Sequence, residues 1–317
     1  MRYALRKVAA FIVTLFIVSL LTFGVFQVLP GNPVEIMLGV DADPLQVQHL
    51  TEELQLDRPV AERYVSWITG ALSGDLGESV RYQVPVGDLL KTSLPVTVSL
   101  ALLSIGITVL VVVPVSIYIA KNRNRKRGVI LSAFTQLGVS IPSFWMGILL
   151  IFVFSVTLKL LPSGDYIPFS ESPAGFIRSM ILPSLAISIG TSATIIRYLK
   201  NTILDEMNLE YVKTARSKGL NTNQVLYRHV LKNALLPALT ILGMLVVDVL
   251  GGSVIIENIF NLPGIGRLLT SGVGNRDFPL VQGIVFYLAI TVLLVNLIID
   301  IAYTVIDPRI RLGGEKR

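Results

Sequence analysis

The side chains that most often perform chemistry in proteins are scarce in this sequence, and their spacing matches no common catalytic site. Cysteine is absent, which excludes disulfides, thiolate metal sites and a cysteine nucleophile. The two histidines, His49 and His229, are too few for a metal site built from histidines, and neither falls in an apolar stretch. None of the 25 glycines is followed by lysine, so the phosphate-binding G-x-x-x-x-G-K-[ST] loop cannot occur. We therefore expect no enzyme activity, metal site or cofactor in this chain.

Two acidic residues in apolar surroundings remain as candidates for a functional group. Asp248 falls near the middle of an apolar stretch. Insertion of an aspartate there costs about 2.5–3.5 kcal/mol, so such a residue usually faces a cavity or a partner. Two interpretations stay open: Asp248 lines a transport path and attracts a cationic group, or it is a structural carboxyl bonded to a neighbouring helix. Asp300 follows Asn296 by one helical turn near the end of its apolar stretch, which favours a structural network.

Small polar residues recur at helical spacing in another apolar stretch, at Ser184, Ser188, Thr191 and Ser192. Ser188 and Ser192 are candidates for the same transport path as Asp248. Small polar side chains equally suit close packing between membrane helices. The stripe therefore predicts a helix without deciding between these two roles.

Composition identifies the solvent of the chain as lipid. Of its 317 residues 52% are hydrophobic and only 15% are charged, and the mean hydropathy is +0.69. A helix needs about 20 apolar residues to span a membrane. Six stretches meet that length approximately and predict an all-α protein with six transmembrane helices: 8–29, 96–120, 129–161, 181–199, 234–256 and 281–306. The third stretch contains Gly138, Pro142 and Gly147, so we expect a kink or an amphipathic first turn there.

Lysine and arginine are unevenly distributed around these stretches and predict the orientation of the chain. The N-terminus, the 121–127 and 197–232 segments and the residues after 306 hold 19 of the 27 basic residues. The positive-inside rule places these segments, and both termini, on the cytoplasmic side of the membrane. The basic run within 121–127 would suit nucleic acid in isolation. Between two spans it indicates topology, and we expect no nucleic-acid partner.

Residues 30–95 then form a small external subdomain, which carries ten acidic and four basic residues. Its pattern predicts short helices over 44–54 and 60–72. Six of its apolar side chains are expected to form a cluster of their own: Leu54, Leu56, Val60, Tyr64, Trp67 and Leu72. The predicted division of the chain is a first span (1–29), this subdomain, a five-helix core (96–306) and a tail (307–317).

The 200–233 segment is too long for a simple connection between spans and is patterned for order. Asn208 is suited to cap a helix over 209–218, and Gly219 suits the left-handed residue that ends it. A second helix can begin at Asn221 or Thr222. Two short helices joined at a glycine predict a rigid cytoplasmic protrusion, which can transmit force to a soluble partner.

The segment from Glu210 to Gly219, EYVKTARSKG, resembles the EAA loop of ATP-binding-cassette importer permeases, in the dipeptide, oligopeptide and nickel branch. It departs from the wider superfamily in having Lys213-Thr214-Ala215 where that superfamily has Glu-Ala-Ala. The resemblance extends over nearly the whole chain, through the segments PGNP (30–33), IPSFW (141–145), ENIF (257–260), PGIGR (263–267), NRDFP (275–279) and DPR (307–309).

The resemblance implies a permease subunit that works with a second permease, two ATP-binding subunits and an external solute-binding protein. ATP would then be used by the partner subunits, and the cargo would be short peptides or, as the leading alternative, nickel or a nickel chelate. The residues it implies for ATPase coupling are Glu210, Tyr211, Thr214, Ala215, Lys218 and Gly219. Two other interpretations stay open: an amphipathic helix resting on membrane lipid, and an ion-coupled secondary transporter that uses Asp248 and Asp300.

Overall fold

The computed structural model describes residues 2–28, 43–53 and 56–306, and most of them are helical. These described residues contain no β-strand, apart from an isolated antiparallel bridge between Glu78 and Pro85. The chain divides into two units: a first unit, Met1–Pro95 with Gly264–Leu297, and a second unit, Val96–Pro263 with Ile298–Arg317.

The α-helices are numbered here in chain order: α1 (Arg2–Val28), α2 (Pro44–Glu53), α3 (Val60–Ser73), α4 (Val86–Lys121), α5 (Lys126–Ser140), α6 (Ser143–Leu150), α7 (Pro173–Glu206), α8 (Glu210–Ser217), α9 (Thr222–Val225), α10 (Leu231–Ile259), α11 (Ile265–Gly274) and α12 (Phe278–Ile306). Two π-helical segments extend this series: Ile151–Thr157 continues α6, and Leu226–Val230 joins α9 to α10.

Four described helical segments are long and apolar enough to cross a membrane, and a bent pair of helices makes a fifth if it counts as one span. The four, each overlapping a predicted span, are Lys7–Gln27, Val86–Lys121, Pro173–Glu206 and Phe278–Ile299. The predicted span 234–256 falls within α10, which is 29 residues long. An all-α membrane protein is therefore confirmed. Six spans with both termini in the cytoplasm remain a prediction.

The predicted third span is broken at Pro142. Helix α5 ends at Ser140, α6 begins at Ser143, and the two directions differ by 106°. Ile141 between them is extended, with φ −91° and ψ 118°, as expected for a residue that precedes proline. The expected kink is confirmed, and it is sharp because one helix ends and another begins.

In the first unit, α3 packs on α1 instead of forming an apolar cluster of its own. The rings of Tyr64 and Trp67 on α3 lie 5.4 and 5.9 Å from the ring of Phe23 on α1. Val60 and Leu72 are exposed, so the predicted independent cluster is wrong. A 14-residue helix has one apolar face to bury, and α1 supplies the surface for it. Leu54 lies outside the described residues.

The two short helices predicted in this segment are confirmed, because α2 and α3 fall on the 44–54 and 60–72 ranges. Helix α3 ends where Gly74 adopts the left-handed conformation, with φ 95°. This conformation favours glycine because it has no Cβ.

A buried carboxylate holds the segment after Gly77 to the start of α12, also in the first unit. Asp277 accepts four hydrogen bonds: from the hydroxyl of Ser79 (2.5 Å) and from the backbone N–H groups of Val80 (3.2 Å), Arg81 (3.1 Å) and Leu280 (3.2 Å). Ser79 and Asp277 are each only 1% exposed. Burial of a charge is costly unless such donors surround it, so Asp277 fixes the position of this segment.

The second unit is built around α7, which packs against α5, α6 and α10. Small residues bring these helices close together. A Cβ added at Gly138 of α5 would lie 3.0 Å from the Cβ of Ala193 on α7. A Cβ added at Gly147 of α6 would lie 3.2 Å from the ring of Phe260, just after α10. Close approach at small residues is the usual packing mode of membrane helices.

Substitution of Asp277 tests whether its four hydrogen bonds stabilise the first unit. In Asp277→Asn, an amide NH₂ replaces one acceptor oxygen and faces buried backbone donors. Each buried donor that loses its acceptor costs about 1–3 kcal/mol of stability. We expect the thermal unfolding midpoint of the detergent-purified protein to fall by about 2–10 °C. The matched control is Asp88→Asn, because Asp88 is exposed and pairs with Lys91 at the surface. Equal midpoints for the two variants would contradict the assigned role.

Candidate functional site

The chain forms a compact helix–turn–helix after α7. Helix α8 is one residue shorter at each end than the predicted 209–218. Leu209 occupies its N-cap position without a side-chain cap, so the predicted cap by Asn208 is wrong. The physical reason is that Asn208 lies in the hydrogen-bonded turn that follows α7, one residue before the N-cap position, and its backbone N–H donates to the carbonyl oxygen of Asp205 at 3.1 Å.

The turn that follows α8 agrees with the sequence. Gly219 has φ 85°, and a Cβ added there would meet no atom within 4 Å, so backbone conformation rather than space favours glycine. Helix α9 begins with a capping box. The Asn221 side chain accepts from the Gln224 N–H at 2.9 Å, and the Gln224 side chain accepts from the Asn221 N–H at 3.0 Å. Both ends of this turn are thereby fixed locally.

The inward face of α8 is part of the hydrophobic core of the second unit. Val212 is fully buried and Ala215, three residues later on the same face, is 8% exposed. They pack in one cluster with Ile203 of α7 and with Val225 and Leu226 of the following helical segment. Helix α8 is therefore held by apolar contacts to both of its neighbours.

Tyr211 adds a polar contact between α8 and α7. Its hydroxyl donates to Oε2 of Glu206 at 2.5 Å. Partial burial, and then this hydrogen bond to a carboxylate, raise the pKa of Tyr211 above its ordinary value. Tyr211 and Ala215 thus position the helix, and neither presents its whole side chain to a partner.

The outward face of α8 is polar and exposed. Glu210, Thr214 and Lys218 lie on it, and all three are exposed. Lys213 forms an ion pair with Glu210 at 2.6 Å on the same surface. Of the six residues implied for coupling, four are exposed: Glu210, Thr214, Lys218 and Gly219. The other two, Tyr211 and Ala215, contact the rest of the second unit and hold α8 in place.

The residues implied for a transport path are placed on two neighbouring helices of the second unit. Ser188 and Ser192 are buried on α7, and the Ser188 hydroxyl donates to the carbonyl oxygen of Leu185 at 3.2 Å. This burial is what the helix-packing interpretation expects. Asp248 lies on α10, but its side chain is outside the described residues, as is that of Asp300 on α12. Their roles stay predictions.

Sequence reasoning missed a second buried carboxylate, Glu257 near the end of α10. Its side chain is fully buried and accepts a hydrogen bond from the hydroxyl of Thr97 on α4 at 2.7 Å. The only signal was its place in the ENIF segment. Among the described residues, no group of three or more His, Asp or Glu side chains could hold a metal ion.

Comparison with known proteins gives the chain its relatives. Residues 112–312 match the family described as "Binding-protein-dependent transport system inner membrane component". Residues 1–101 match the N-terminal region of such membrane components.

Several relatives align over almost their whole length. A "Putative peptide transport system permease protein" of Brucella abortus (strain 2308) is 39% identical over 307 residues, 97% of this chain and 98% of the relative. A "Probable peptide ABC transporter permease protein" of Sinorhizobium fredii is 34% identical over 98% of this chain and 99% of its own. The "Oligopeptide transport system permease protein AppB" of Bacillus subtilis is 34% identical over 97% of this chain and 98% of its own.

Two neighbouring substitutions test the division of α8 into an inward and an outward face. Ala215→Glu places a carboxylate among apolar side chains, which costs several kcal/mol and should detach the helix, whereas Thr214→Glu adds the same charge to the exposed face. We expect trypsin to cleave the loop at least about tenfold faster in Ala215→Glu. A decrease of about 1.4 kcal/mol in the free energy needed to detach α8 raises the detached population tenfold. Thr214→Glu should be cleaved at the unmodified rate. Identical cleavage of both variants would refute the assigned faces.

Proposed function

Because this chain belongs to the family of inner-membrane components of binding-protein-dependent transport systems, we propose that it is a permease subunit of an ATP-driven importer of short peptides. The names of relatives that align over nearly all of the chain support the cargo, since they describe peptide or oligopeptide transport. These names do not favour nickel or a nickel chelate, the alternative left open by the sequence. A non-enzymatic role in the membrane is consistent with this assignment.

The proposed assembly contains a second permease, two ATP-binding subunits and an external solute-binding protein. The family description supports a binding protein and a transport system of several components. Hydrolysis of ATP is assigned to the partners, because the sequence has no G-x-x-x-x-G-K-[ST] loop. The two permeases together would form the path, with Asp248, Ser188 and Ser192 as its candidate residues in this chain.

The proposed topology has six spans, with the 30–95 segment outside the inner membrane and the 200–233 loop in the cytoplasm. The distribution of basic residues supports it, since 19 of 27 fall on the proposed cytoplasmic side. It gives α8 access to ATP-binding subunits, which are soluble proteins in the cytoplasm.

The observation that carries the proposed coupling is the division of α8 into two faces. Its inward face, with Val212 and Ala215, is packed on the ends of the neighbouring helices. Its outward face, with Glu210 and Thr214, is exposed. We propose that the outward face binds in a groove of an ATP-binding subunit. Closure of that subunit would then move α8 and α7 together, because a packed helix transmits displacement without first unfolding.

An ion-coupled secondary transporter acting alone is the rival in a different class. It would use Asp248 and Asp300 as ion or proton sites. Family membership favours the ATP-driven system, which also gives a use to the exposed polar face of α8.

Coupling can be tested on the exposed face without disturbing the fold. Thr214→Glu should lower ATP-driven peptide uptake at least about tenfold, since an unpaired charge in a packed protein contact costs more than about 1.4 kcal/mol. Asn201→Glu is the control, because Asn201 is exposed on α7 and does not belong to α8. Uptake is measured in proteoliposomes holding the complete complex at equal abundance. Unchanged uptake in Thr214→Glu would remove the coupling proposal.

The cysteine-free sequence makes the topology directly measurable. Single cysteines at Ser73 on α3 and Ser217 on α8 replace exposed serines. In intact cells, an impermeant thiol reagent should label the cysteine at position 73 at once and the cysteine at position 217 only after lysis. The reverse pattern would overturn the proposed orientation.

A further inference from the structure

A cavity of about 450 Å³ lies beside the 200–233 loop, within the second unit. Three segments line it: the end of α4 with the turn that joins it to α5, the end of α7 with the turn after it, and the stretch from Arg216 to Leu226. We call it the basic cavity, because four cationic side chains line it: Lys121, Arg123, Arg125 and Arg216.

Within the described part of the chain, no carboxylate pairs with any of these four charges. No described residue that lines the basic cavity is acidic, and none of the four cations forms an ion pair within the described part of the chain. Two carboxylates close to the cavity in sequence have other partners: Glu206 accepts from Tyr211, and Glu210 pairs with Lys213. Lys121 contacts a π face, that of Tyr227, with its Nζ 5.6 Å from the ring centroid. Like charges around one cavity repel each other and favour an anion between them.

The rest of the lining suits phosphate oxygens on one side and apolar groups on the other. Asn124, Asn208, Thr222 and Asn223 contribute amide and hydroxyl groups, which can donate hydrogen bonds. Leu204, Met207 and Leu226 contribute an apolar surface. Arginine is the side chain best matched to phosphate, because its planar group donates two parallel hydrogen bonds.

The position of the cavity along α4 indicates where the phosphate comes from. From Thr92 to Ala120 the helix carries no charged residue, and Lys121 is the first charge after that apolar run. The basic cavity therefore lies where the hydrocarbon core of a membrane ends. Tyr118 of α4 and Val129 of α5, on either side of the turn, are exposed and would contact acyl chains.

From this arrangement we propose that the basic cavity binds the phosphate of an anionic phospholipid. The acyl chains of the lipid would lie along the apolar run of α4, and the four cations would bind the lipid headgroup. Because Arg216 belongs to α8, and the other three cations belong to the end of α4 and the turn after it, one bound lipid would link α8 to the membrane surface. The assignment uses the membrane embedding of α4 and does not depend on contact with an ATP-binding subunit.

Lipid binding to the purified full-length chain in neutral detergent tests this proposal. Native mass spectrometry would compare phosphatidylglycerol with phosphatidylcholine for the unmodified chain and two variants. Arg123→Gln/Arg216→Gln removes two cations from the cavity. Arg228→Gln/Lys232→Gln removes two exposed cations from the same loop region outside it. We expect preferential binding of phosphatidylglycerol, weakened about 25-fold by the first variant and unchanged by the second, because each surface cation contributes about fivefold.

Three results would overturn the proposal. The first is equal phosphatidylglycerol binding by both variants. The second is displacement of the lipid by inorganic phosphate or glycerol phosphate at micromolar concentration, which would make a soluble phosphate the ligand. The third is normal lipid binding by purified Arg123→Gln/Arg216→Gln together with loss of the ATP-binding subunit when the complete complex is purified separately, which would make the cavity a protein contact. Lipid binding is measured without that subunit. A negative result in the coupling experiment would therefore leave the lipid-binding result unaffected.

Discussion

The packing of Val212 and Ala215 into the core of the second unit is the interaction on which the proposed mechanism depends. An eight-residue helix is not stable by itself in water, because nucleation is costly and few hydrogen bonds repay it. Here the ends of α7 and α9 supply the missing stabilisation through Ile203 and Val225. A surface helix that is held in this way moves with its neighbours. A motion imposed on its outward face therefore reaches α7, a long apolar helix at the centre of this unit.

Buried carboxylates contribute a second kind of constraint in each unit. Asp277 in the first unit and Glu257 in the second lie away from water and accept hydrogen bonds from distant parts of the chain. Such a group specifies one arrangement of its partners, since any other arrangement leaves a charge unsatisfied. Both residues lie in segments that carry the family resemblance. Their hydrogen bonds fix the local geometry, and this is a sufficient physical reason for an acidic residue at each position. Neither needs a catalytic role.

Local features of the fold were predictable from the sequence. The helical spans follow from apolar length, the break at Pro142 from the restriction on the preceding residue, and the left-handed turn at Gly219 from the absence of a Cβ. The capping box at Asn221 is equally local. Each of these depends on residues within one or two helical turns, and this is the range over which a sequence pattern determines structure.

The features that were missed or wrong depend on distant neighbours. Asn208 is a residue type that often caps helices, yet it lies in the turn that follows α7, where its N–H bonds to the carbonyl oxygen of Asp205. Val60 and Leu72 looked like members of an external core, yet α3 buries its other face on α1.

The same limit applies to the candidate site. The pattern of α8 did not reveal that Ala215 faces its own chain, because only the positions of α7 and α9 decide which face is covered. The basic cavity likewise brings together Lys121 and Arg216, which are far apart in sequence.

The proposal that α8 transmits motion from an ATP-binding subunit can be examined most directly at single residues. A photo-reactive amino acid would replace Thr214 or Ala215 in turn, and the complete complex would be irradiated in the membrane. Exposure of Thr214 and burial of Ala215 predict an adduct with the ATP-binding subunit from position 214 and none from position 215. Absence of an adduct from position 214, or adducts of equal yield from both positions, would contradict the proposed contact.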